Sequence, residues 1–241
     1  MKTVAALFVV ALAGTAIAGP VNTGGTFSGS ATLNNNRAIL WDQSTTAFAN
    51  AVDQDFPDFP TFSTGMVDDF STGGNTWNVN TVVTYYTFGS GIWPASCTAQ
   101  LSLFSKSGSS PTGADSVGNL GSVSATIVNL GSALAVVADT SGVGALQGIN
   151  GDYWIGLTPT LAFGTYFQEF HLTSALADNG DGAYLRNAGG GFGIGTGWTD
   201  QGIFSGDPGD MLFTLDGDVV PAPSAAALLA LGGVFAGRRR R

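Results

Sequence analysis

The sequence predicts an all-β body, an antiparallel two-sheet β-sandwich of jelly-roll type, carried between an N-terminal signal peptide and a C-terminal hydrophobic helix. Three observations lead there. From residue 19 to 219, apolar positions alternate with a period of two in many short runs, and no run sustains a period of 3.6. Those runs are separated by turn-forming clusters drawn from 36 glycines and from Asn, Asp and Ser. Charged residues make up only 10% of the chain, against about 25% in ordinary soluble domains. Gly, Ser, Thr and Asn fill their place, a composition of strands and turns rather than helices. The roughly 200 residues of the body suffice for one all-β domain with a real core.

Taken in order, residues 19–25 form an entry segment and 26–33 alternate Phe27, Gly29, Ala31 and Leu33 against Thr and Ser, as a half-buried strand does. Asn34, Asn35 and Asn36 make a turn, and 37–41 reads as the return strand of a hairpin. Residues 53–62 interleave Phe56, Phe59 and Phe62 with Pro57 and Pro60, which excludes a central strand because proline donates no ladder bond. The phenylalanines are expected to pin a loop over the core, with presentation of aromatics to a glycan as the alternative. Residues 66–70 enter a strand, Gly73, Gly74 and Asn75 turn the chain, and 77–88 is the strongest strand in the sequence. Trp77, Val79, Thr81, Val83 and Tyr85 should share one face, with Val82, Tyr86 and Phe88 on the other, so both faces should be covered over its second half. Further strands are expected over 101–104, 122–128, 133–138, 153–157, 162–172, 183–186 and 211–215.

The two ends have a different character. Lys2 gives a positive n-region, residues 4–13 an apolar stretch, and Ala16, Ile17 and Ala18 a small-x-small cleavage pattern, so the mature chain should begin at Gly19. At the other end, Val220, Pro221, Ala222 and Pro223 break any regular pairing, because both prolines fix φ and lack an N–H. An uncharged Ala/Leu-rich run follows over 224–237, then Arg238, Arg239, Arg240 and Arg241. That run as a helix covers roughly 21 Å, short of the ~30 Å hydrocarbon core unless the arginines snorkel. The arginines would stay on the cytoplasmic side of a membrane.

This tripartite tail resembles the PEP-CTERM sorting signal of exported bacterial proteins, with Ala222 standing where the family's name motif has Glu. The resemblance covers about a tenth of the chain. It implies an exosortase-like membrane processing enzyme as partner, acting on Val220, Pro221, Ala222 and Pro223 with Arg238 to Arg241 as the stop. It also implies passage through the export machinery and membrane anchoring through the C-terminal helix until the tail is processed. The expected domain plan is a signal peptide over 1–18, the body over 19–219 and the sorting tail over 220–241.

Without its ends the body keeps three basic residues, Arg37, Lys106 and Arg186, against all 17 acidic ones, a formal charge of −14. Such a surface is repelled by phosphate backbones, which excludes nucleic acid as a partner. The single cysteine, Cys97, rules out an intramolecular disulfide, and a buried thiol is expected.

Catalytic constellations are sparse. His171 is the only histidine and lies in an alternating run, where a polar strand residue explains it. There is no Gly-x-Ser-x-Gly elbow and no phosphate loop. A glycosidase needs only two acids, and an aspartate pair such as Asp68 with Asp152 would have to serve, since Glu169 is the sole glutamate. Asp178, Asn179 and Asp181, with Gly180 and Gly182, have the composition of a calcium loop but not EF-hand spacing, and a type I′ turn accounts for them equally well. The run 207–210, ending in Gly209 and Asp210, has the same ambiguity. No other cofactor is expected. The sequence therefore points to a non-catalytic exported cell-surface or extracellular-matrix protein. The alternative is a carbohydrate-binding module using Trp41, Trp93, Trp154 or Trp198 as stacking platforms for glycans. A glycan-active enzyme is the third reading.

Overall fold

The structure is a computed structural model that describes residues 37–221 except 45–46, 48, 88–91, 112–118, 132, 175–179 and 206–208. The expected signal peptide, the strand over 26–33 with its Asn turn, and the tail beyond Pro221 lie outside the described residues. Thirteen strands are described: β1 (Ala38–Asp42), β2 (Ala49–Val52), β3 (Gly65–Ser71), β4 (Thr76–Tyr86), β5 (Ser96–Ser105), β6 (Asn119–Asn129), β7 (Leu134–Asp139), β8 (Gln147–Ile149), β9 (Asp152–Thr160), β10 (Phe170–Thr173), β11 (Tyr184–Arg186), β12 (Thr199–Asp200) and β13 (Phe213–Val220). The α-helices described are single turns, α1 (Phe163–Tyr166) and α2 (Gly202–Ser205). None is long and apolar enough to cross a membrane. The protein is all-β, and every pairing between these strands is antiparallel.

The pairing runs β1-β13-β4-β7-β6-β5-β9-β3-β11-β12, with β10 joining β2 to β4 and β8 also pairing β4. This path folds back on itself. Strands β4 and β9 are not neighbours in it, yet Tyr86 Oη and Thr84 Oγ1 of β4 lie 3.1 and 3.3 Å from the Leu157 carbonyl oxygen of β9. The main core fills the space between, with Met66, Phe70, Val82, Leu101, Leu157 and Leu215 all buried in one cluster. Each fully buried side chain of that size contributes about 1.5–3 kcal/mol by leaving water.

Strand β4 forms where the sequence predicts, and its residues from Asn80 to Tyr86 are all buried. Its faces differ from the expectation. Trp77 and Val79 pack in the main core together with Val82 and Tyr86, whereas Val83 and Tyr85 pack in a second cluster with Leu172 and Leu212. The cause is a β-bulge: Val79 pairs with Gly217 and Thr81 with Asp216, leaving Asn80 as the extra residue. One inserted residue switches every later side chain to the opposite face. Gly217 makes the close crossing there feasible, since a Cβ at this position would lie 1.9 Å from the Asn78 carbonyl oxygen.

Two other expectations change. Residues 162–172 are not one strand: α1 interrupts them and Phe167 sits at φ 59, so only β10 pairs. Phe163 is held there by Phe56 and Phe59, edge-to-face at 6.0 and 5.8 Å, and aromatic packing outweighs the strand-like alternation. The same contacts bear out the pinned loop, in which Phe56 is buried and Phe62 packs on Phe192. The second change is at the end of the body: β1 pairs with β13, its expected hairpin partner over 26–33 lying outside the described residues. Strand β13 runs on to Val220, one residue past the expected body boundary.

Candidate functional site

The only histidine lies in a sealed polar node. His171 is carried inward by β10, whose residues from His171 to Thr173 are buried, and its ring is fully buried. Its Nε2 lies 3.0 Å from the Leu212 carbonyl, which can only accept, so Nε2 carries a proton. Its Nδ1 faces Asp53 Oδ2 at 2.8 Å. Asp53 is equally buried; its Oδ1 accepts from Met66 N–H at 3.1 Å and from Thr158 Oγ1 at 2.6 Å, and its Oδ2 accepts from Tyr86 Oη at 2.8 Å. Burial, then the Asp53 carboxylate, push the Tyr86 phenol well above its ordinary range, so it stays a donor. The node ties β3, β4, β9 and β10 to the segment after β2. No substrate reaches it, and the strand-residue reading of His171 is the one the geometry fits.

Asp68 makes a second buried tie. Its Oδ2 accepts from Met211 N–H and Gln43 Nε2, both at 2.6 Å, and its Oδ1 from Asp69 N–H at 2.8 Å. Burial, then the neighbouring Asp210 carboxylate, hold Asp68 well above the usual carboxylate range. The structure does not bring Asp68 to Asp152. Asp68 pairs with Ile155 in the β3–β9 ladder, while Asp152 pairs with Ser71 three positions away and is exposed.

At the rim of the sheet lies a third cluster. Lys106, just after β5, extends its ammonium to Asp69 of β3 and to Asp181 Oδ2, the latter at 2.7 Å. The Asp181 N–H donates to Asp69 Oδ1 at 3.0 Å. Beneath them the Lys106 Nζ is 4.8 Å from the centroid of the Trp154 ring. Burial pushes the Asp69 carboxyl up, against the opposing pull of Lys106. Of the three residues in the expected calcium loop, Asp178 and Asn179 lie outside the described residues, and Asp181 is engaged by Lys106. Among the described residues no group of three or more His, Cys, Asp or Glu is placed to hold a metal ion.

The tryptophans are placed very differently from one another. Trp154 is fully buried. Trp41 packs on Phe70 at 6.3 Å and donates from Nε1 to Gln43 Oε1, while Trp93 packs on Tyr86 at 5.5 Å. Trp198, half-buried, lines an open groove with Asp55, Gln100, Ser102, Asn119, Thr158 and Arg186. Arg186 lies over the Trp198 ring at 5.9 Å, and Phe104 meets that ring edge-on at 5.7 Å. This groove was not legible in the sequence, because its walls come from β3, β5, β6, β9, β11 and loops far apart in the chain. Cys97 is half-buried, and burial pushes its thiol to about 11, which keeps it in the unreactive form. Val220 ends β13 and Pro221 follows it; Ala222, Pro223 and the four arginines lie outside the described residues, as do Ala16, Ala18 and Gly19.

No family model matches the chain, and no curated protein does. Among solved structures, the chain is similar to the crystal structure of the cysteine protease and lectin-like domains of Cwp84, a surface layer associated protein of Clostridium difficile. That match has 9% identity and a TM-score of 0.41, and it covers 65% of this chain and 32% of that one. A likeness this low carries no argument about fold or activity.

Proposed function

We propose that this chain is an exported, non-catalytic cell-surface or extracellular-matrix protein, a jelly-roll-type sandwich delivered by the sorting tail over 220–241. The observation that carries this reading is where the body stops. Strand β13 lies between β1 and β4 and, past the bulge at Gly217, stays paired with β4 to Val220, and the next residue, Pro221, cannot donate to a ladder. The tail therefore leaves from the end of a strand inside the sheet, as a separable segment should. The body's interior acids and its histidine are tied to neighbouring strands, which favours a structural over a catalytic use of them. The test is the intact mass of protein recovered from the cell envelope or medium. It should begin near Gly19 and lack Arg238 to Arg241. A full-length C-terminus on the mature exported protein would overturn the sorting role.

The Trp198 groove favours a second reading, binding of a neutral glycan. An aromatic wall beside amide, hydroxyl, carboxylate and guanidinium groups offers a sugar an apolar face and hydrogen-bond partners together. A glycan screen of the exported protein should find a ligand whose affinity drops at least tenfold in Trp198→Ala. Undiminished binding by that variant would place the glycan elsewhere.

A further inference from the structure

The rim cluster carries more than an ion pair. Asp69 on β3 and Lys106 after β5 flank β9 from its two sides, at the level of Trp154: Asp69 and Phe104 both pair with Trp154 in their ladders. Their side chains meet above that ring. We propose that Lys106 and Asp69 become joined by an intramolecular amide between Nζ and Cγ, with Asp181 moving the protons.

The geometry supplies each part of that reaction. The ammonium gives a proton to the Asp181 carboxylate, whose Oδ2 is 2.7 Å away. The freed amine attacks Cγ of Asp69, and the carbonyl electrons move onto Oδ1. That oxygen already accepts from the Asp181 N–H at 3.0 Å, a donor placed where the negative charge develops. Oδ2, in contact with Lys106, takes up two protons, one of them returned by Asp181, and leaves as water. The balance is one ammonium and one carboxylate giving one amide and one water, with no oxidant or cofactor.

Three features separate this cluster from an ordinary surface pair. Its Asp69 and Lys106 side chains are only 8% and 16% exposed, so the charged reactants are poorly solvated. The fully buried Trp154 forms the floor. Gly180, at φ +93, presses backbone onto the carboxylate, and a Cβ there would be 2.5 Å from Asp69 Oδ2. Burial raises the Asp69 carboxyl, which eases the first proton onto Oδ2. Burial also pulls Lys106 down, but its two carboxylates outweigh this and hold it up, so the amine forms only as its proton passes within the triad. Holding the groups in contact compensates for that scarcity, since well-oriented intramolecular reactions reach effective concentrations far beyond any in solution. Gly180 and Asp181, from the run that resembles a calcium loop, thereby have another use, packed against the electrophile.

The experiment is peptide mapping by mass spectrometry of the natively folded full chain after proteolysis. The expected product is one branched peptide containing residues 69 and 106, lighter than the two linear peptides by one water. Asp69→Asn should give the identical branched peptide, by loss of ammonia from the variant. Lys106→Arg should give only linear peptides, and Asp181→Ala should lose most of the branched product while keeping a native near-ultraviolet spectrum. Linear peptides alone from folded wild-type protein would overturn the proposal, whatever the variants do. Undiminished branching in Asp181→Ala would overturn the proton-moving role.

Discussion

The Asp53–His171 node and the Lys106–Asp69–Asp181 cluster use the same chemistry at two depths, and the difference between them is instructive. In the first, both partners are fully buried, and the carboxylate oxygens are bound by donors from three strands as well as by the imidazole. Nothing can enter or leave, so its work is to hold strands in register. In the second, Asp181 remains 36% exposed, which leaves a path for protons and for a departing water. Depth turns one pair into a lock and leaves the other open to reaction.

The largest effect should come from breaking the lock. Asp53→Ala strands the Met66 N–H, the Thr158 hydroxyl and His171 in a dry interior, at a cost of about 3–5 kcal/mol. Urea titration should show a much lower midpoint with the slope unchanged, since the unfolded chain is unaltered. Lys106→Ala acts through the other state. Releasing a cross-link that spans 37 residues should cost about 3–4 kcal/mol by loop-closure entropy. It should also steepen the slope, because the unfolded chain expands. A loss near 1 kcal/mol with an unchanged slope would mean a simple ion pair.

A smaller effect follows from Asp68. Its native carboxyl binds a proton more tightly than in the unfolded chain, because burial and Asp210 raise it well above 3.8. The native state therefore holds the extra proton above that value, and stability falls as pH rises through the raised range. Asp216, raised by burial and by Asp42, acts in the same sense. The melting temperature should be higher in mildly acidic buffer than at pH 7, and the reverse order would show that Asp68 ionises without penalty.

Much of this framework was legible in the sequence and its chemistry was not. Strands β3, β4, β6, β7, β9 and β11 fall where alternation and turn residues put them, because local pattern decides them. The bulge at Asn80 was invisible, since it depends on Gly217 crossing Asn78 from 139 positions away in the chain. Asp53 drew no attention for the same reason: its partners His171 and Thr158 are 118 and 105 residues distant. Phe163 and Phe167 read as strand residues until Phe56 and Phe59 arrive to pack on Phe163. Long-range pairing made both clusters, and a single sequence carries no record of it.

The smallest effect is expected where the account has most at stake, at the junction between body and tail. Strand β13 keeps its β4 partner as far as Val220, so residues 19–221 should contain all that the fold requires. The most direct measurement compares the thermal melting of that shortened chain with the chain that retains residues 222–241. The account predicts the same midpoint, a β-rich circular dichroism spectrum and a soluble protein, helped by the −14 charge of the body. A shortened chain that aggregates, or melts more than about 4 °C lower, a shift worth roughly 1 kcal/mol or more, would contradict it: the apolar run would then be part of the core, and not an address.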